Sequence, residues 1–185
     1  NFKSNNTKFG RAMLRALISN EKSIQLQAQG DITGCTAELT RYRNFLQEAI
    51  GANPKSFVPY IELATSLLNE YQLTQDKSLL EEALQVADNG EKYVQNSADF
   101  ALIRANVLRA DGQLNRAVEY LTRYITQHPE ATLVRRRLID AYLDMDKADK
   151  AISLAKGGID VDPTDPLWYE QLGNYHLRAN DDHGK

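Results

Sequence analysis

Two clusters of aspartate are the first residues in this sequence whose type and spacing could do chemistry. One cluster lies between residues 144 and 149 and the other between residues 160 and 165, and each contains three aspartates. Neither cluster carries the glycine and the distal glutamate of a helix–loop–helix calcium site. Aspartate also favours turns and helix N-termini, because its carboxylate accepts hydrogen bonds from unpaired backbone N–H groups. We therefore interpret both clusters as turn and capping residues.

The remaining reactive or charged groups also argue against a catalytic or metal site. Cys35 is the only cysteine and there are three histidines, too few for a typical structural zinc site. Arg135, Arg136 and Arg137 form the most conspicuous basic run. Successive helical residues point about 100° apart, so these three side chains cannot form one tight patch, and we expect the stem of Arg135 to pack on its neighbours. No phosphate loop, nucleophile elbow or dinucleotide turn is present, so we predict no enzyme, no cofactor and no metal.

Composition and charge indicate an ordinary soluble protein. The 185 residues are 42% hydrophobic and 25% charged, with a formal net charge of -3. A dedicated nucleic-acid binder usually carries a basic excess, so we expect no nucleic-acid partner. No apolar run approaches the roughly 18 residues of a membrane span, so we expect no membrane insertion. The first ten residues lack an initiator Met and a signal-peptide core, so we expect a piece of a longer protein and leave its localisation open.

A repeat is the feature that organises the chain. Pro129 and Pro163 are 34 residues apart, and each follows an isoleucine by four residues, as Pro54 does. A period of this length is typical of stacked helix pairs. Apolar residues at helical spacing predict helices at about residues 7–29, 33–50, 56–73, 78–94, 98–110, 114–127, 130–143, 147–159 and 167–178.

The first predicted helix and the predicted pair at 56–94 have features of their own. In the first, we expect the apolar pattern to run through Phe9, Met13, Leu17, Ile24 and Leu26. In the pair at 56–94, the step from the inner face of one helix to that of the next is seven residues longer than in the later pairs. Seven residues are almost two helical turns, so we predict that both helices of this pair are lengthened by about a turn each, rather than a bulged connection.

These helix pairs resemble tetratricopeptide repeats, with an aromatic, a leucine followed by a small residue, a tyrosine, an alanine and a proline at set positions. The positions are filled by Tyr60, Leu63, Ala64, Leu67, Ala83 and Ala87; by Ala105, Leu108, Gly112, Ala117, Leu121 and Pro129; by Leu138, Ile139, Tyr142, Ala151, Ala155 and Pro163; and by Tyr169, Leu172, Gly173 and His176. The resemblance implies an all-α, right-handed solenoid of antiparallel helix pairs, about four pairs plus a terminal helix. Its expected divisions are a degenerate pair at 1–54 and repeats at 55–96, 97–129, 130–163 and 164–185, the last incomplete, in one continuous domain.

The resemblance also implies a non-catalytic scaffold that binds a partner protein or peptide along a concave groove. In the family, the first helix of each repeat lines this groove. The matched positions here are Ile61, Thr65, Leu68, Leu102, Asn106, Arg109, Arg136, Asp140, Leu143, Glu170, Asn174 and Arg178. Only Asn106 and, loosely, Arg136 fit the carboxylate clamp of chaperone-binding arrays, and Asp140 would repel a carboxylate, so we do not predict that clamp.

Other functions stay open at this point. The groove residues could be ordinary solvated side chains of a scaffold whose partner docks elsewhere. The chain could be a structural oligomerisation module that self-associates through its terminal helices near Trp168, which either packs at a repeat boundary or marks an exposed docking site. It could also be the repeat arm of a larger enzyme or of a secretion or assembly machine.

Overall fold

The structure is a computed structural model that describes residues 2–94 and 97–173. Within these ranges the chain forms helices and no strand. The helices are α1 (Phe2–Ala28), α2 (Ile32–Ala52), α3 (Val58–Thr74), α4 (Ser78–Glu91), α5 (Ala98–Ala110), α6 (Leu114–Gln127), α7 (Thr132–Asp144) and α8 (Ala148–Val161), and residues 166–173 are helical. The predicted all-α fold is confirmed, and the predicted bounds of α5 and α6 agree with the structure at both ends.

Two compact units make up the chain, Asn1–Asp111 and Gly112–Lys185. The first contains α1 to α5, and its core is formed mainly by α2, α3 and α4 with Phe100, Ile103 and Val107 of α5. The second contains α6 to α8 and the helical residues 166–173, with Ile139, Ala151, Ala155 and Trp168 in its core. The prediction of one continuous domain with the repeat divisions given above stays a prediction.

Small side chains set the packing of α1 against α2. Ala12, Ala16, Ser19 and Ser23 are buried on α1, at steps of three and four residues that follow one helical face. Small residues on such a seam let the two helix backbones approach closely. The predicted helix is present, but two members of its apolar pattern, Leu17 and Ile24, point away from the core and are 63% and 59% exposed.

The seven additional residues between the inner faces lengthen α3 but not α4. Helix α3 has 17 residues, whereas α5 and α7 have 13 each, so it gains about one turn, as predicted. Helix α4 has 14 residues, the same as α6 and α8, so the prediction was wrong for this helix. A short connection with Gln75 in the left-handed conformation (φ 60°) joins α3 to α4 without a bulge.

A glycine faces an aromatic ring at one helix contact in each unit. In the first unit, Gly90 of α4 lies against the ring of the fully buried Phe100. In the second, Gly158 of α8 lies against the indole of Trp168, which is 1% exposed. Both pairs are separated by ten residues in sequence, so they occupy the same position in their repeats. Of the two roles open to Trp168, the structure shows packing rather than exposure.

Two arginines at packing positions have different partners, and only one of them is paired with carboxylates. Arg104 donates to Asp88 Oδ1 at 2.5 Å and to Glu91 Oε2 at 2.6 Å, and although burial opposes it, these carboxylates raise the pKa of Arg104. Arg135 is 7% exposed, donates from Nη2 to the carbonyl oxygen of Pro129 at 2.9 Å, and has no carboxylate partner among the described residues. Burial therefore lowers the pKa of Arg135. The sequence prediction that its stem packs on neighbours agrees with this burial.

These two environments predict opposite effects of methionine substitution. We expect Arg135→Met to keep or raise the free energy of unfolding, because it removes a buried charge that no carboxylate compensates. Arg104→Met should lower it by about 1 kcal/mol, because two carboxylates lose their cation. Urea denaturation of both variants measures the difference. A loss at Arg135→Met larger than that at Arg104→Met would contradict this account.

Glu70 makes the folding stability of the first unit depend on pH. Its carboxylate is nearly buried and lies 3.1 Å from Arg43 Nη2, but burial outweighs this cation and raises the pKa of Glu70. A carboxyl whose pKa is higher in the folded state favours folding most below its ordinary pKa, and that contribution is lost as the pH rises through the raised value.

We therefore expect Glu70→Gln to flatten the dependence of stability on pH between the ordinary pKa of a glutamate and the raised pKa of Glu70. The variant cannot ionise, so its stability relative to the wild type should grow as the pH rises. Denaturation followed by circular dichroism across mildly acidic to neutral pH measures this, with the exposed Glu119→Gln as the control. Identical pH profiles for Glu70→Gln and the wild type would show that the environment of Glu70 has no such effect.

Candidate functional site

In the first unit, the predicted groove residues lie on two helices that pack against each other, α3 and α5. Ile61 and Thr65 of α3 correspond to Leu102 and Asn106 of α5, each pair 41 residues apart in sequence. Thr65 is exposed, and the other three side chains are half-buried. On each helix the two positions are four residues apart and so share a face. The structure thus places the same face of two successive repeats on neighbouring helices.

The two other predicted groove residues of this unit are not open to a partner, Leu68 because of its burial and Arg109 because of its contacts within the chain. Leu68 exposes only 9% of its surface and packs in the core, so it offers little to a partner. Arg109 is half-buried near the end of α5 and is already engaged within the chain. The part of the predicted surface that is open in this unit is therefore Ile61, Thr65, Leu102 and Asn106, which we call the α3–α5 face.

Asn106 is the most distinctive polar group of the α3–α5 face. Its side chain is half-buried beside the aliphatic Leu102 position, yet it makes no hydrogen bond within the described residues. A carboxamide can donate and accept at once, which matches the donor and acceptor of a peptide backbone. A half-buried amide with unused capacity costs free energy unless water or a ligand satisfies it.

In the second unit, the predicted residues Arg136, Asp140 and Leu143 follow one face of α7. Arg136 is exposed and forms no ion pair in the described part of the chain. Asp140 Oδ2 accepts from Arg137 Nη1 at 3.4 Å, and Leu143 packs against the core. Glu170 is exposed in the helical residues 166–173, whereas Asn174 and Arg178 lie outside the described residues.

Two exposed aliphatic residues extend these faces and were missed in the sequence. Val58 lies three residues before Ile61 on α3, and Leu133 lies three residues before Arg136 on α7; they are 42% and 59% exposed. Both occupy the same repeat position. The repeat period could have found them, because a large aliphatic residue returns at a position that faces neither the paired helix nor the core.

Neither a metal centre nor a membrane span is found in what the structure describes. No group of three or more His, Cys, Asp or Glu side chains in these ranges could hold a metal ion. No helix there is long and apolar enough to cross a bilayer.

Comparison with known proteins agrees with this architecture. A family profile described as tetratricopeptide repeat matches residues 108–173. No curated protein matches the chain. Among solved structures, a thermophilic tetratricopeptide-repeat protein of Thermus thermophilus is 18% identical with a TM-score of 0.60, over 88% of this chain and 99% of that one.

Two further structures are similar. MamA from Desulfovibrio magneticus RS-1 is 18% identical with a TM-score of 0.54, over 90% of this chain and 86% of that one. PilF from Pseudomonas aeruginosa is 14% identical with a TM-score of 0.53, over 92% of this chain and 71% of that one. Identities this low show the fold alone.

The fold and the profile together define a helical-repeat protein. Residues 108–173 match the tetratricopeptide-repeat profile, and the predicted resemblance is confirmed. Repeats of this family are generally non-catalytic and bind proteins.

Proposed function

We propose that the chain is a non-catalytic adaptor that binds a peptide or protein segment on its concave surface, with the α3–α5 face as the central contact. The observation that carries this proposal is the half-buried Asn106, which makes no hydrogen bond within the described residues and lies one helical turn from Leu102 on α5. Aliphatic side chains would hold alternate residues of an extended segment, while the amide bonds to its backbone. The exposed Arg136 of the second unit would by itself offer a contact to acidic groups of a partner.

Selection from a displayed peptide library tests this proposal. We expect peptides selected on the wild type to bind Asn106→Ala at least about tenfold more weakly, the cost of one lost hydrogen-bonding group in a partly buried contact. The double variant Asn106→Ala/Arg136→Glu should be weaker still for acidic peptides, with unchanged thermal stability.

Asn44→Ala and Arg123→Glu are the matched controls. Both residues are exposed on helices outside the α3–α5 face, α2 and α6, and make no hydrogen bond or ion pair within the described residues, so neither change should alter binding. Equal binding of the selected peptides to Asn106→Ala and Asn44→Ala would place the ligand elsewhere and reject the α3–α5 face.

A second candidate function is self-association through the terminal helices, including the region near Trp168. The observation that favours it is the aliphatic surface of α1 that no part of the described chain covers. Trp168 itself is buried, so a contact at that end would involve its exposed neighbour Tyr169. Either function is compatible with a role as the repeat arm of a larger enzyme or assembly machine.

A further inference from the structure

Helix α1 is apolar on two opposite faces, and only one of them packs in the fold. The face made by Ala12, Ala16 and Ser19 contacts α2, whereas the opposite face carries large aliphatic side chains. These are Leu14, Leu17, Ile18 and Ile24, between 47% and 63% exposed, and we call them the outer face of α1. At about 100° per residue, their mean direction lies roughly opposite the α2 contact. An exposed aliphatic stripe of this kind is a candidate docking surface.

We propose that the outer face of α1 binds an acidic surface around Val161 and Tyr169 of a second copy of this chain, in a head-to-tail arrangement. This proposal specifies the surfaces of the second candidate function and is independent of peptide binding on the α3–α5 face. It rests on charge complementarity between two regions of the same sequence, each of which also exposes large apolar side chains.

The α1 side of the proposed contact is strongly basic. Residues 2–28 contain five cationic side chains and one carboxylate, although the whole chain has a net charge of -3. Lys8, Arg11 and Arg15 line a cleft of about 400 Å³ between α1 and the end of α2, where Glu48 is the one acidic lining residue. Lys8 and Arg11 form no ion pair within the described residues, and Arg15 lies 5.7 Å from the ring of Phe45. The cleft is thus a cationic pocket beside the α2 contact, and no residue of the outer face of α1 lines it.

The other side is acidic and also partly apolar. Residues 157–173 contain four carboxylates and no Lys or Arg, and the C-terminal end of α8 adds the negative end of its helix dipole. Val161 and Tyr169 are 44% and 52% exposed there. The hydroxyl of Tyr169 donates to the carbonyl oxygen of Pro163 at 3.1 Å, which holds the ring beside the loop after Val161. The exposed residues Asp160, Val161, Tyr169 and Glu170 form what we call the acidic surface.

The arrangement of charge on α1 favours a protein over a lipid surface. Lys8, Arg11, Arg15 and Lys22 all lie on one side of the aliphatic stripe, about 60–120° from Leu14. A helix that lies in a membrane interface is flanked by cations on its polar face and has no acidic group in its apolar stripe, but Glu21 lies within this one. Because the two proposed surfaces differ, the contact does not close on itself by two-fold symmetry, and it would build rings or open chains.

Light scattering and sedimentation velocity of the full 185-residue chain test this proposal. We expect the weight-average mass to rise with protein concentration at about 0.05 M NaCl and to fall back towards the monomer at about 0.5 M, because salt screens exposed charges. Leu14→Ser/Leu17→Ser should abolish association. Lys8→Glu/Arg11→Glu and Asp160→Lys/Glu170→Lys should each weaken it at least about tenfold through like-charge contacts.

Mixing the two charge-reversed variants is the decisive step. Each alone should associate much more weakly than the wild type. The mixture should associate more strongly than either variant, because the unchanged α1 of one variant meets the unchanged acidic surface of the other and the two reversed surfaces also attract. Lys55→Glu/Arg123→Glu is the matched control, since both residues are exposed and lie outside these surfaces. Circular dichroism of each variant checks that it is folded.

Three outcomes would overturn the proposal: a wild type that stays monomeric at low salt, association that neither charge reversal weakens, or a mixture that does not associate. A monomeric wild type that sediments with anionic phospholipid vesicles would instead assign the outer face of α1 to a membrane surface. Asn106→Ala should associate like the wild type, so failure of this proposal leaves the peptide-binding function testable by itself.

Discussion

Replacing Gly158 by alanine is expected to destabilise the second unit by about 1–3 kcal/mol, the usual cost of forcing a methyl group into a packed contact. A Cβ at this position would lie 2.6 Å from Cδ2 and 2.7 Å from Cε2 of Trp168. The indole is fully buried, so it cannot move aside without displacing Ile139, Ala151 and Ala155, the other members of its core cluster. The fluorescence of Trp168, the only tryptophan, reports the unfolding of this unit directly.

The adjacent glycine provides the control for this prediction. A Cβ on Gly157 would meet only Arg135 Nη1, at 3.4 Å. Gly157→Ala should therefore stabilise α8 by up to about 1 kcal/mol, because alanine favours the helix interior over glycine. In the double variant Gly158→Ala/Trp168→Leu, the cost of the alanine should largely disappear, which a double-mutant cycle measures. Equal effects at Gly157 and Gly158 would show that the contact with the indole does not limit the packing.

Phe100→Ala is expected to lower the free energy of unfolding of the first unit by about 3–5 kcal/mol. The ring is completely buried between α4 and the rest of the core, and it fills the space left by Gly90. Alanine would leave a cavity there, and neighbouring helices cannot close it because Tyr60 and Leu80 are held in the same cluster. Thermal and urea denaturation measure the loss.

Tyr93→Ala is the matched control for Phe100→Ala. Tyr93 is an aromatic residue of the same region, with its ring centroid 6.1 Å from that of Tyr60, but it is 46% exposed. Its removal should cost less than about 1 kcal/mol, because little apolar surface is lost from the core. A similar cost for both changes would mean that burial at the α4–α5 contact is not what makes Phe100 important.

The candidate site was predictable only in part, and the reason differs between its residues. The repeat period located Ile61, Thr65, Leu102 and Asn106, because positions one repeat apart face the same way on successive helices. The same reasoning included Leu68, which the structure places in the core. Periodicity identifies a helical face, but a residue at the edge of that face is covered or open according to how closely the next helix approaches.

The sequence by itself determined the class of structure. The 34-residue period and the apolar spacing were sufficient for the all-α fold, for most helix bounds and for the likeness to tetratricopeptide repeats. These features depend on local propensity and on which residues must be buried, and both can be read from the order of the residues in the sequence.

Only the tertiary structure decided which apolar face each helix buries. Helix α1 has two such faces, and the one with small residues packs on α2 because it allows the closer approach. Trp168 has a place in the core because Gly158, ten residues earlier, leaves room for its ring. The exposure of Leu14 and Leu17 and the burial of Trp168 follow from contacts between residues on different helices, which no pattern within a single helix specifies.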